Sequence, residues 1–185
     1  GKMGVAIADA LADLGAQVDL VLGPSNERPI NQEVNIRHIT SAEEMYDYCS
    51  ELFPKVDIAV LSAAVADFTP MVKASNKIKK EGGMNSIELK PTKDILASLG
   101  SMKKKNQILV GFALETDNEK QNALKKLKSK NLDLIVLNSL KDQGAGFGHK
   151  TNKITIINNK EESFEFPLKE KSEAAYDVAE AILKL

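Results

Sequence analysis

One cysteine, Cys49, stands in 185 residues. An internal disulfide is therefore excluded, and a reducing setting, the cytoplasm, is the expected location. Histidine is nearly as scarce. His38 and His149 have no partner at useful spacing, so no Ser/His/Asp or Cys/His set for nucleophilic catalysis is present. Nothing has the spacing of a structural zinc site. No apolar run is long enough to span a bilayer, and no stretch reads as a cleavable signal. Net charge is also close to absent: 25 basic against 26 acidic side chains leave −1. No overall field recruits nucleic acid or an anionic membrane, and anion binding must come from local clusters. What is present, 43% hydrophobic and 28% charged residues, reads as one soluble domain with a substantial core.

The chain alternates between helical and strand periods. Apolar positions 3, 7, 11 and 14 predict a first helix that stops at Gly15. Its glycine-flanked start, Gly1-Lys2-Met3-Gly4, suits an anion, because free N–H groups and the helix dipole point there. Residues 17–22 and 36–39 read as strands. Ser41-Ala42-Glu43-Glu44 has the form of a capping box, and Met45, Tyr48, Cys49 and Leu52 make one face of the helix that follows. A right-handed unit then delivers Ile58–Leu61 to the centre of a parallel sheet. Further strands are expected at 86–90, 107–113 and 132–137. Helices are expected after Thr92, the candidate N-cap, and over 118–130. Residues 153–158 and 163–166 pair as a hairpin about Asn159-Lys160-Glu161, and 169–185 is an amphipathic helix. The fold class is α/β: a Rossmann-like three-layer arrangement with a mainly parallel central sheet and a C-terminal β-hairpin at its edge. Residues 1–185 form a single domain, with a flap at about 71–85 hinged at Gly82-Gly83.

The stretch Val60-Leu61-Ser62-Ala63-Ala64-Val65-Ala66-Asp67-Phe68-Thr69-Pro70 organises the rest. An apolar strand gives way to small side chains that let a flat group approach the backbone, and then to one carboxylate. Lys77-Ile78-Lys79-Lys80 follows. Asp67 can accept from hydroxyls, and the lysines can neutralise phosphates. Open α/β sheets bind ligands beyond such strand ends.

Ala63 to Phe68 followed by Lys77 to Lys80 resembles the bacterial phosphopantothenate–cysteine ligases. So do Gly1 to Gly4, Leu22-Gly23-Pro24, Gly111-Phe112-Ala113-Leu114-Glu115-Thr116, Lys130 to Ile135 and Gly146-Phe147-Gly148, in the same order along nearly the whole chain. The resemblance implies that 4′-phosphopantothenate and L-cysteine are joined through an acyl cytidylate. CTP would be split to CMP and pyrophosphate, with Mg²⁺ as cofactor, in coenzyme A biosynthesis. It implies a homodimer, and a flavin-dependent phosphopantothenoylcysteine decarboxylase domain fused or associated. It also implies that a strand and part of the nucleotide loop, with a functional asparagine, precede Gly1.

Residue by residue, the resemblance lays Leu61, Ser62 and Ala63 along the nucleotide and Asp67 on its ribose. Lys77, the catalytic candidate, meets phosphate and the acyl intermediate. The wall opposite is Lys90, Pro91, Thr92 and Lys93. Phe112 packs beside the nucleotide, and Lys126 and Lys130 reach the triphosphate. From the residues alone, Asp67 reads equally as a turn former, Phe112 as core, and the lysines as solvated charge. Lys126 and Lys130 at least share a helix face, being four apart. Glu115 reads as a magnesium ligand or, preferably, as a helix cap; no metal ligand is assigned. The competing readings are a Rossmann-type NAD(P)-binding oxidoreductase, a P-loop enzyme and a non-catalytic nucleotide-binding module. The first lacks a complete glycine fingerprint, and its second strand ends in Gly23-Pro24 instead of an acid. The second has Met3 where a Ser/Thr should hold magnesium.

Overall fold

The computed structural model describes residues 1–72, 74, 76, 86–139 and 148–185. Helix α1 (Lys2–Asp13) leads to strand β1 (Asp19–Leu22), which pairs in parallel with β2 (Asn35–His38). Gly15 ends α1's turn at φ +90°, a conformation glycine adopts without steric cost. The capping box forms as the sequence predicts: Ser41 accepts from Glu44 N, and Glu44 accepts from Ser41 N, at the start of α2 (Ala42–Leu52). Its inward face is Met45, Tyr46 and Cys49. Tyr48 instead lies under the Arg37 guanidinium, 5.3 Å from the ring centre. A short 3-10 turn (Phe53–Lys55) then introduces β3 (Ile58–Leu61).

Next comes a two-stranded antiparallel ribbon, β4 (Phe68–Pro70) with β5 (Leu89–Pro91), in which Thr69 faces Lys90. The 71–85 segment expected as a flap falls between these two strands in the sequence. Of it, Met71 and Val72 are described and exposed, whereas Lys77 and the glycine hinge lie outside the described residues. Helix α3 (Ile95–Met102), β6 (Ile108–Glu115), α4 (Glu119–Ser129) and β7 (Leu134–Ser139) follow. A two-residue β8 (Thr151–Asn152) precedes the hairpin of β9 (Ile154–Asn158) and β10 (Ser163–Glu165). Then β11 (Lys169–Glu170) pairs with β8 and leads into α5 (Lys171–Leu183).

The main sheet runs β10-β9-β7-β6-β3, with β3, β6 and β7 parallel and the hairpin antiparallel at one edge. Alternation along the strands makes two cores. Ile58, Val60, Val110, Leu134, Val136, Ile154 and Ile156 pack under α1 and α5. Ala59, Leu61, Leu109, Ala113, Ile135, Leu137 and Ile157 pack under α2, α3 and α4. This is the three-layer α/β arrangement expected.

One expectation is corrected. Ile58–Leu61 is not central but forms the outer strand of the five-stranded sheet. The β1–β2 pair is a separate sheet, joined to the main one through α1. That helix presents Ile7 and Ala10 to the larger core and Ala8 and Ala12 to Val34, Val18, Leu20 and Ile36. Among the described residues, β1 and β3 each keep one edge without a ladder partner.

Candidate functional site

The parallel strands β3 and β6 both end at one rim of the sheet, and the chain brings the expected residues there from four directions. Leu61 closes β3, with Ser62 and Ala63 directly beyond it. Leu61 and Ser62 are half-buried, and Ala63 is exposed. The loop that follows carries Asp67 and is tied down by Thr92. Thr92 Oγ1 donates to Ala66 O at 2.6 Å, and Thr92 N donates to Asp67 O at 2.9 Å. Lys90 and Pro91 sit in the ribbon opposite Thr69 and Phe68. Ribbon pairing thus holds the 90–93 segment against the Asp67 loop.

Two details differ from expectation. Thr92 is not the N-cap of α3; Asp94 is, accepting from Ala97 N at 2.9 Å. The reason is that Pro91 is spent in the ladder and Thr92 in the loop, so the helix can start only afterwards. Lys93 turns its ammonium outward, over the Tyr46 ring at 4.2 Å and toward Asp47 at 3.8 Å. Only its main chain is left to face the loop.

Lys126 and Lys130 do share one face at the end of α4, and both are half-buried. Lys126 Nζ donates to Phe112 O at 2.7 Å. Burial first, and the Lys130 charge second, push its pKa down. Glu115, Asp94 and Asp67 oppose that shift. One ammonium therefore senses Asp67, Asp94, Glu115 and Lys130 together. Lys130 pairs with Asp94 at 2.7 Å. Burial raises the Asp94 pKa. The Lys130 and Ala97 hydrogen bonds, with the charges of Lys130 and Lys126, outweigh it and hold the carboxyl below its usual range. This pair rests on a close approach of α3 to α4: a Cβ on Gly100 would lie 2.0 Å from Lys130 O. Lys125 and Lys128 are exposed, and Lys128 pairs with Glu161 at 2.6 Å.

Phe112 belongs to β6 and leans on the core beneath α1 and α5; what it offers the rim is its carbonyl. Glu115 accepts from Asn122 Nδ2 at 3.0 Å and so braces the first turns of α4. Among the described residues no group of three or more His, Cys, Asp or Glu could hold a metal. Cys49 packs against the core under α2, α3 and α4, and burial pushes its thiol up to about 11, far from nucleophilic. Asp94 is the residue that sequence reasoning undervalued. An Asp immediately before Ile95-Leu96 is a recognisable cap signal, but nothing local reports its ion pair with Lys130.

The sequence profile of the DNA/pantothenate metabolism flavoprotein C-terminal domain matches residues 1–185. The chain belongs to that family. The domain is 57% identical over its whole length to 52% of a protein from an unknown prokaryotic organism named cysteine/cysteine sulfinic acid decarboxylase. It is 43% identical, again over its whole length, to 45% of the coenzyme A biosynthesis bifunctional protein CoaBC of Bacillus subtilis. The chain thus spans about half the length of the curated relatives it matches. A crystal structure of the CoaBC C-terminal domain superposes with TM-score 0.81 at 36% identity, covering 98% of this chain and 81% of that one. No helix among the described residues is long and apolar enough to cross a membrane.

Proposed function

We propose that this flavoprotein C-terminal domain is a CTP-dependent phosphopantothenate–cysteine ligase of coenzyme A biosynthesis. The carboxylate oxygen of 4′-phosphopantothenate attacks the α-phosphorus of CTP, and the bond to pyrophosphate breaks. The amine of L-cysteine then attacks the acyl carbonyl. Collapse of the tetrahedral centre expels CMP, and the amine proton leaves to solvent. Both steps gather negative charge on oxygen, so the protein's part is positioning and cationic stabilisation. The observation that carries the reading is the cluster at the rim, where half-buried Lys126 is fixed to Phe112 O and feels the charges of Lys130, Glu115, Asp94 and Asp67. On this reading Leu61, Ser62 and Ala63 flank the nucleotide, Asp67 accepts from its ribose, and Lys126 and Lys130 meet its phosphates. Lys77, outside the described residues, is assigned to the reacting phosphate and acyl group on the strength of the sequence resemblance. With no three-ligand cage among the described residues, Mg²⁺ fits best on the triphosphate oxygens, as is usual for nucleotide enzymes. There it would neutralise charge on the departing pyrophosphate.

The ribbon supports a second part of the reading, a homodimer. Phe68 (60% exposed), Met71 and Val72 (80%) on and after β4, and Ile87 and Leu89 before and on β5, leave both strands of the ribbon with exposed apolar side chains. Such a patch marks an interface. A decarboxylase partner domain, fused or associated, completes the proposal; it accords with relatives about twice this chain's length. The deciding experiment measures pyrophosphate released from CTP by the full-length protein with 4′-phosphopantothenate. Release should depend on L-cysteine for turnover; nucleotide binding with no release under any substrate combination would favour the non-catalytic module.

A further inference from the structure

Three consecutive residues at the rim are each held by a different element. Thr92 is bonded to the loop after β3 through its hydroxyl and its N–H. Asp94 caps α3 and takes the Lys130 ammonium of α4 at 2.7 Å. Lys93, between them, reaches across to α2. There its ammonium lies 4.2 Å from the centre of the Tyr46 ring and 3.8 Å from Asp47 Oδ1. The helix it is tied to is itself fixed. The Ser41–Glu44 capping box closes its first turn. Met45, Tyr46 and Cys49 pack against the core that α2 shares with α3 and α4, and Tyr48 lies under Arg37 of β2. The ion pair with Asp47 contributes little by itself, since both side chains are more than half exposed. The ring face of half-buried Tyr46 is the stronger hold.

We infer that Tyr46 is a positioning residue for the nucleotide: by holding Lys93 it fixes the main chain of residues 92–94, and with it the Asp67 loop. This role rests on the ligase reading and extends it to a helix that supplies none of the site residues. The backbone around Lys93 explains why a side-chain anchor matters there. The ribbon ladder ends at Pro91, and the first backbone bond of α3 runs from Ser98 N to Asp94 O. Residues 92 and 93 therefore lie between two repeating hydrogen-bond patterns and belong to neither. The conformation of such a link is set by its individual contacts. Thr92 secures the side that faces the loop, and the grip of Tyr46 on Lys93 secures the side that faces α2. The contact is made by the ring and not by the hydroxyl, so phenylalanine can replace tyrosine here and an aliphatic residue cannot.

The test compares the full-length protein with Tyr46→Leu, Tyr46→Phe, Lys93→Met and the Tyr46→Leu/Lys93→Met double variant. Tyr48→Leu, on the same helix but under Arg37, is the control. The size of an exposed cation–π contact predicts KM for CTP raised about two- to fivefold in Tyr46→Leu and in Lys93→Met, with kcat unchanged. Tyr46→Phe and the control should match wild type, and the double variant should be no worse than either single one. An additive rise in the double variant would mean that Lys93 meets the nucleotide by itself. That result overturns the assignment, as would a phenylalanine variant as poor as the leucine one, or an equal rise in the control. Amide hydrogen exchange without ligand separates this role from the ligase reading. The peptide spanning 89–98 should exchange about two- to fivefold faster in Tyr46→Leu and Lys93→Met, and at the wild-type rate in Tyr46→Phe. If no form releases pyrophosphate, calorimetric CTP affinity takes the place of KM. Faster exchange with weaker CTP binding then supports the positioning role although the ligase reading has failed. Wild-type exchange in both variants, or no CTP binding by wild type, refutes it.

Discussion

At the scale of single residues, the site turns on which charges are held and which are loose. Lys126 is fixed to Phe112 O and half-buried, whereas Lys125, its neighbour in sequence, is exposed. Lys126→Gln is expected to weaken CTP binding about tenfold or more, and Lys125→Gln to leave it unchanged; isothermal titration measures both. Asp67→Asn keeps the size but removes the charge. It is expected to raise the CTP dissociation constant with little change in melting temperature, whereas the turn-former alternative expects the opposite pattern. Much of this was legible in the sequence, since four-residue spacing alone joins Lys126 to Lys130. What spacing cannot convey is partnership over long separations. Asp94 and Lys130 are 36 residues apart, and no local pattern in either segment announces their ion pair.

At the scale of elements, the loop between β3 and α3 shows how tertiary contacts redirect local chemistry. Thr92 and Asp94 both qualify as caps by type, and the ladder at Pro91 decides between them. Because Asp94 caps α3 and also holds α4 through Lys130, its substitution should be felt in both helices. The folded carboxyl is depressed, so its stabilisation is complete above the unfolded value, about 3.9, and is lost as pH falls through the folded one. Asp94→Ala is therefore expected to cost about 1 kcal/mol at neutral pH. The difference from wild type should close in acid, as urea titrations at pH 7 and pH 3 would show. A constant deficit would assign the loss to packing. The misplacement of β3 has a similar origin. An apolar run of four reads as buried, but its order within a sheet depends on strands far away in the chain. The β8–β11 pair escaped notice because two residues carry no period.

At the scale of the whole molecule, the α/β alternation, the two-sided core and the edge hairpin were all readable from periodicity, because each strand's alternate residues must satisfy a different core. The uncovered ribbon was not. Its Phe68, Met71 and Val72 look like any strand exit until the structure leaves them outside both cores. On the homodimer proposal, Phe68→Ser with Val72→Ser should shift the full-length protein toward monomer in sedimentation velocity while its circular dichroism stays wild-type. An unchanged sedimentation coefficient would send the search for the interface elsewhere.

The two Thr92 hydrogen bonds give the proposed association a further consequence. They rivet the Asp67 loop to the foot of the ribbon, so whatever grips the ribbon also steadies the carboxylate. On the homodimer proposal, self-assembly and nucleotide grip would be a single linked equilibrium. Dilution should blunt specific activity well before any unfolding, and added CTP should restore the pairing that dilution undid.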